Sequence, residues 1–219
     1  MSKKCLVTTS LIGSVEWAQT APSSVIKPEK GGNGKETWAS LAIKDLKATL
    51  SRDSFVMNEA AQRGITFENK VYSVARSSTV AGGSAEFQDI VGRVIGGQFQ
   101  RKKGMDYRAG GEDCYLYAKE DVYFPDKIID IKTTAKYKAD KYIGSIQHPI
   151  YCLVENVWRF DYLVAEWAEY PRIKKLHIIE LNVDEIFARK IIDSRISQTF
   201  NFLKEHNLWE VYRDKYCLY

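Results

Sequence analysis

From residue 36 onward the chain alternates between segments of helical and of strand periodicity. Trp38, Leu41, Ala42, Asp45 and Leu46 recur at helical spacing within 36–50, and Ser51 to Asp53 offer capping groups for a second helix over 54–76. That second helix carries two adjacent rows, Ala60, Gly64, Phe67, Val71, Val74 and Ala61, Ile65, Glu68, Tyr72, Ala75, which together predict its buried face. Glu68 falls inside the apolar stripe. A carboxylate so placed either reaches out from the helix edge to water or a lysine, or it needs a cation as partner.

A third helix is expected over 84–94, then strands over 97–103, 113–124 and 127–134. Helix returns over 142–155. Strands over 157–167 and 174–181 flank a Glu-Tyr-Pro-Arg turn, and an amphipathic helix over 183–205 follows. Helices before, between and after strands predict an α/β fold, with a central mixed sheet flanked by helices. The 219 residues suit a single domain spanning 1–219. Residues 20–35, rich in Pro, Ser, Gly and Lys, read as a surface loop within it. Its GGNGK is no phosphate-binding loop, because Glu29 stands where the first Gly is required and Glu36 follows Lys35.

Composition adds little. With 45% apolar and 27% charged residues the chain is an ordinary globular one, and a net charge of +4 permits contact with a polyanion without demanding it. The four cysteines, at 5, 114, 152 and 217, form no CxxC pair, so neither a zinc site nor a disulfide framework is signalled and a reduced, cytoplasmic setting is expected. The opening MSKKCLVTTSLIGSV resembles a secretory leader only superficially: threonines and serines dilute it, and Glu16 and Trp17 follow. No apolar run approaches the roughly 18 residues of a membrane span.

The segment YLYAKEDVYFPDKIIDIKTT carries the chemistry. Two β-rich runs meet at Pro125-Asp126, which has turn character, so cross-strand partners have numbers summing to 251. Asp121 then lies opposite Asp130, Val122 opposite Ile129, and Lys119 opposite Lys132. By strand alternation Asp121, Asp130 and Lys132 share one face, while Val122, Ile129 and Ile131 share the other. Opposed like charges call for a compensating cation or a raised pKa. Magnesium, with manganese as substitute, suits such oxygen ligands, and Glu68 and the Ile131 carbonyl complete the protein part of the expected shell. Lys132 is positioned to hold or deprotonate an attacking water and to offset charge on the transition state. Against this stands a charge-alternating outer face on an exposed hairpin, since Asp-x-Lys alone is common.

These motifs resemble the PD-(D/E)XK nucleases, in their RecB-like branch with phage-type exonucleases and Cas4-like proteins. The matching elements are RGITFE ending at Glu68, Asp121, the IIDIKTT block with Asp130 and Lys132, and IQHPIY with Gln147 and Tyr151, over residues 55 to 155. The resemblance implies a restriction-endonuclease-like core, carboxylates that bind metal, a lysine that assists water, and a glutamine and tyrosine that support the site or touch DNA. The literal Pro125-Asp126 stands too close to Asp130 for the first aspartate, which assigns that role to Asp121. The cysteine spacing does not fit the iron–sulfur cluster of some relatives. His148 invites a role as base, though a histidine beside Pro149 is more often a helix-start or surface residue. Lys132, Lys136, Lys138 and Lys141, interleaved with Tyr137 and Tyr142, suit phosphate contact and base stacking, or simply a solvated charged face.

The function expected is a magnesium-dependent deoxyribonuclease, an exonuclease of phage or prophage recombination in preference to an endonuclease. Its partner is DNA, with room for a homo-oligomer and a recombination partner protein. The competing readings are a catalytically silent nucleic-acid-binding or inhibitory protein with the same fold, and a structural α/β domain.

Overall fold

The computed structural model describes residues 3–26, 36–52, 57–77 and 82–217. In chain order they form β1 (Cys5–Thr8), α1 (Thr9–Thr20), α2 (Trp38–Ser51), α3 (Glu59–Ser77) and α4 (Ala85–Val94). Next come β2 (Gln98–Ala109), β3 (Glu112–Tyr123), β4 (Ile128–Thr134), α5 (Ala139–Ile143) and α6 (Gln147–Glu155). The chain continues through β5 (Arg159–Glu169), β6 (Arg172–Asn182), α7 (Glu185–Glu205) and α8 (Trp209–Tyr216). The fold is the expected α/β type, a mixed sheet with helices. Residues fall into two compact units, 1–56 with 104–117 and 190–219, and 57–103 with 118–189; β2, β3 and α7 run through both.

The second unit holds every residue of the expected site. Here β4 pairs antiparallel with β3 through Val122↔Ile129 and Tyr123↔Ile128, the register that the Pro125-Asp126 turn dictates. Phe124 and Lys127 exchange backbone hydrogen bonds across that turn, at 2.8 and 3.4 Å. β4 pairs parallel with β5 from Ile128↔Phe160 to Thr134↔Glu166, and β5 pairs antiparallel with β6. A parallel pair needs a crossover, and α5 with α6 supplies it. The expected single helix over 142–155 is thereby two, interrupted around Gly144 to Ile146. α6 is buried from His148 to Glu155, as a crossover helix covered on all sides must be.

Ile129 and Ile131 of β4 join Val122, Leu163 and Ala165 in a core with Phe67, Val71, Tyr72 and Ala75 of α3 and Phe87, Ile90, Val91 and Val94 of α4. Burial of side chains this size contributes roughly 1.5–3 kcal/mol each, so this face of the sheet is well held. The face expected to be apolar is apolar. Ser84 caps α4 by accepting from the Phe87 amide at 3.4 Å. α3 departs from expectation at its start: Asn58 caps it by accepting from the Ala61 amide, not Ser51 to Asp53, since α2 runs on to Ser51. Residues 53–56 of the expected helix lie outside the described residues. The first half of its stripe, Ala60, Ala61 and Ile65, is exposed, because nothing in this unit packs over it.

In the first unit, β1 pairs parallel with β3 through Cys5↔Cys114 to Thr8↔Tyr117, and Thr8 caps α1 through the Leu11 amide. A Thr37–Ser40 capping box starts α2. Gly110 (φ +61°) and Gly111 (φ +81°) turn β2 into β3, a two-residue hairpin that demands left-handed backbone. The segment at the start of the chain, which shows weak periodicity, is thus a strand and a helix, and α8 is a further helix beyond those expected. Cys5 and Cys217 form a disulfide, which corrects the expectation of unpaired cysteines. Its partners are 212 residues apart in sequence, so no local spacing announces it. Cys114 and Cys152 are free and buried. Most of the expected 20–35 loop, residues 27–35, lies outside the described residues. Among the described residues no helix is long and apolar enough to cross a membrane.

Candidate active site

The site forms where β3 and β4 part. Beyond Val122↔Ile129 the ladder ends, and the amide of Ile131 donates to Asp121 Oδ2 at 2.9 Å. A side chain thus takes the amide that a backbone carbonyl would otherwise satisfy. The N–H and C=O of one strand residue point to the same edge, so the Ile131 carbonyl opens on the side of Asp121. Asp130 follows the parallel strand into a covered position and is 1% exposed. An exposed hairpin face is therefore excluded, and so is a carboxylate merely lining a surface cleft.

Lys132 Nζ donates to Asp130 Oδ1 at 2.8 Å and lies 2.7 Å from Oδ2. Gln147 Nε2, at the first residue of α6, also donates to Asp130 Oδ1. Oδ2 has the Lys132 ammonium as its ion-pair partner. Gln147, expected to support the site or touch DNA, lies against Asp130. Tyr151, one turn along, is buried with its ring 6.3 Å from Phe160.

Two residues that sequence reasoning did not single out complete the arrangement. Gln100 Nε2 donates to Asp121 Oδ1 at 3.2 Å and to the Tyr72 hydroxyl at 2.8 Å. Tyr72, which looked like one more member of the α3 stripe, is joined to Asp121 through Gln100 and feels its charge. Gln100 sits within β2 at φ +55°, a left-handed backbone that costs a non-glycine residue about 1–2 kcal/mol. The strain falls beside the site, where such outliers concentrate. A glutamine in a strand with no motif around it gives no sequence signal.

Charge defines the chemistry. Glu68 on α3 has its carboxyl pushed up to about 7 by burial and by the charge of Asp121, with Asp130 adding and Lys132 opposing. Asp130 is pushed up to about 7 by burial, which the neighbouring Lys132 only partly offsets, and by Asp121. Burial works to lower the Lys132 pKa, but Asp130, Asp121 and Glu68 outweigh it and raise it above the ordinary lysine value. Tyr72 is raised by burial and by the charges of Asp121 and Glu68. Lys132 is thus an ammonium, a donor and a positive charge.

Glu68 and Asp130, both pushed up in part by the charge of Asp121, make with Asp121 a set of oxygen donors of the kind that suits a hard divalent cation. Among the described residues, however, no group of three or more His, Cys, Asp or Glu side chains is arranged to hold a metal ion. The donor chemistry fits, with Lys132 drawn onto Asp130.

The remaining expected residues separate. Lys136, Lys138 and Lys141 are exposed on α5 and the segment before it. Tyr142 is buried, and Tyr137 stacks on His177 at 3.7 Å, so the two tyrosines face protein rather than offering rings for bases. His148 is buried against Phe160 and Tyr162, its Nδ1 3.2 Å from the Tyr162 hydroxyl, and burial lowers its pKa to about 4. It is a neutral core histidine. Glu120, beside Asp121 in the chain, is fully buried with neither carboxylate oxygen hydrogen-bonded. Glu155, also buried, meets Arg101 at 3.0 Å and Lys103 at 3.3 Å.

The fold is a mixed α/β sheet with helices, and the residues gathered at the site are those on which the sequence resembles the PD-(D/E)XK nucleases. No protein-family model matches the chain, and no curated protein matches it by sequence. Solved structures do. An alkaline exonuclease from Laribacter hongkongensis superposes with a TM-score of 0.50 at 14% identity, over 95% of this chain and 92% of that one. SSO0001 superposes with a TM-score of 0.51 at 14% identity, over 90% of this chain and 77% of that one. A phage-related exonuclease from Haemophilus somnus 129PT gives 0.49 at 15% identity, over 94% and 96%. At these identities the likeness is one of fold.

Proposed function

We propose that the protein is a magnesium-dependent deoxyribonuclease, an exonuclease of the phage or prophage recombination type working on cytoplasmic DNA. The observation that carries this reading is the Asp121–Ile131 hydrogen bond at the parting of β3 and β4, with Lys132 on Asp130 and Glu68 sharing their field. Glu68, Asp121, Asp130 and the Ile131 carbonyl are the groups that would hold the divalent ion. When bound, that ion supplies charge to stabilise the phosphorane-like transition state and to activate water.

The chain's own groups do the rest. Ile131 N–H and Gln100, itself held by Tyr72, fix Asp121, and Gln147 fixes Asp130, so the carboxylates are oriented before substrate arrives. The Lys132 ammonium, released from Asp130, donates to the attacking oxygen or to a nonbridging phosphate oxygen. Exposed Lys136, Lys138 and Lys141 give phosphate contacts beside the site.

The test is incubation of the pure protein with linear, circular and single-stranded DNA, with magnesium, with manganese and with chelator. Metal-dependent loss of linear DNA alone supports an exonuclease; nicking of circles replaces it with an endonuclease. One observation favours a second reading, a nucleic-acid-binding or inhibitory protein without catalysis: the absence, among the described residues, of an arranged three-carboxylate cage. DNA binding with no cleavage in either metal supports that reading.

A further inference from the structure

The turn between β5 and β6, α3 and the start of α4 enclose a pocket of about 500 Å³, none of whose lining residues belongs to the hydrolytic cluster. Its walls are aromatic. Phe67 meets Trp167 edge-on at 5.1 Å and Phe87 at 6.0 Å, and Trp167 meets Tyr170 at 5.3 Å. Among the described residues its charge is of one sign: Lys70 and Arg172 line it and no Asp or Glu does. Lys70 Nζ stands 5.0 Å from the Phe87 ring centre, and Arg63 stands 5.1 Å from that of Tyr170. Neither Lys70 nor Arg172 has an ion-pair partner among the described residues.

A cavity this size accepts a small organic ligand. Aromatic faces with unpaired cations are the surface that binds single-stranded nucleic acid, bases on rings and phosphates on ammonium and guanidinium groups. The uniform positive charge selects a phosphate-bearing ligand over a neutral apolar one. The pocket also shares its scaffold with the site. Thr66, Phe67 and Lys70 flank Glu68 on α3, and Trp167 stands three residues beyond Val164, the β5 partner of Lys132. Trp167 packs on the sheet face of Ile131 and Leu163, the face opposite to Val164 and Lys132.

We propose that this pocket binds a nucleotide of an unpaired DNA strand, its base against Trp167 and its phosphate against Lys70 and Arg172. The proposal rests on the nuclease reading. It adds a site that grips single-stranded substrate independently of the carboxylates.

The experiment is fluorescence anisotropy with a labelled single-stranded dodecanucleotide and a blunt duplex of the same sequence, in calcium, for the wild type and for K70A/R172A. Both side chains are exposed, so the double variant should fold, and thermal melting checks that it does. Single-strand affinity should fall roughly tenfold, the scale of one lost base-and-phosphate contact, while duplex affinity changes less than twofold. W167L, which keeps an apolar side chain but removes the stacking ring, should reproduce the loss without altering the salt dependence, with thermal melting again checking the fold. Unchanged single-strand affinity in folded K70A/R172A overturns the proposal, and so does an equal loss for both DNAs. Parallel cleavage assays in magnesium keep the two readings apart. Wild-type cleavage with unaltered binding in the variant removes the pocket alone, whereas single-strand binding that depends on Lys70 and Arg172 without any cleavage keeps the pocket and removes the nuclease.

Discussion

Asp121 Oδ2 accepts the Ile131 amide at 2.9 Å, so one carboxylate both closes the sheet where β3 and β4 diverge and faces the acidic cluster. Structural and chemical duties therefore meet in a single side chain, and substitutions can separate them. Asp121→Asn keeps an oxygen for the amide and removes the charge; Asp121→Ala leaves a buried N–H unpaired. Both should lose cleavage. Only the alanine variant should also lose stability, by about 1–3 kcal/mol for the unsatisfied donor, read as a lower unfolding midpoint in denaturant.

Asp130→Asn should lower turnover at least roughly a hundredfold, the scale seen when a transition-state electrostatic partner is removed, while the protein still folds. The buried carboxylate that Glu68 and Asp121 repel is then gone. Magnesium should raise the wild-type melting temperature, by about 2.7 kcal/mol of added stability at a hundred times the dissociation constant, and should do much less for the variant. Thermal melting across a magnesium titration measures both. No magnesium shift in the wild type would remove the metal from the site.

Lys132→Ala and the triple replacement of Lys136, Lys138 and Lys141 should act oppositely. The first should cut turnover by orders of magnitude with DNA affinity in calcium only slightly weaker. The second should weaken affinity and flatten its salt dependence by about 0.9 per lost duplex phosphate contact, sparing turnover at saturating DNA. Wild-type turnover by Lys132→Ala at saturation would make the lysine a binding residue.

Glu120 gives a pH test. Its carboxyl is pushed up to about 7 by burial and by Glu155, with Arg101 and Lys103 opposing. A raised carboxyl favours the folded state in its protonated form. Its contribution is thus fully present below the ordinary carboxyl value of 4.5 and is lost as pH rises through about 7. Glu120→Gln should match the wild type at pH 5 and exceed it in melting temperature at pH 8 to 9. A constant difference across that range would show that Glu120 ionises as readily folded as unfolded.

The sequence made the hairpin legible because Pro125-Asp126 sets the register locally, and Val122↔Ile129 follows from it without knowledge of the rest. The helix expected over 84–94 is α4, and the structure adds its Ser84 cap. Periodicity reports which side of a helix is apolar, not what covers it, so the stripe through Ala60 and Ile65 suggested burial that the fold does not supply. The grip on Asp121 was hidden. It depends on Gln100 at positive φ and on Tyr72, 21 and 49 positions away, and neither has a motif. Tyr137 and Tyr142 read as free rings because sequence does not show that they stack on each other, at 5.9 Å, and Tyr137 on His177.

The bond between Cys5 and Cys217 turns nearly the whole polypeptide into a covalent ring. One proteolytic cut inside that ring opens it into a permuted linear chain without releasing a fragment, so a nicked molecule would run as one band until reduced. Ring closure over 212 residues removes unfolded-state entropy worth about 5 kcal/mol on the chain-entropy scale. A glutathione-rich compartment would withdraw that contribution, giving one sequence two stabilities set by its redox surroundings.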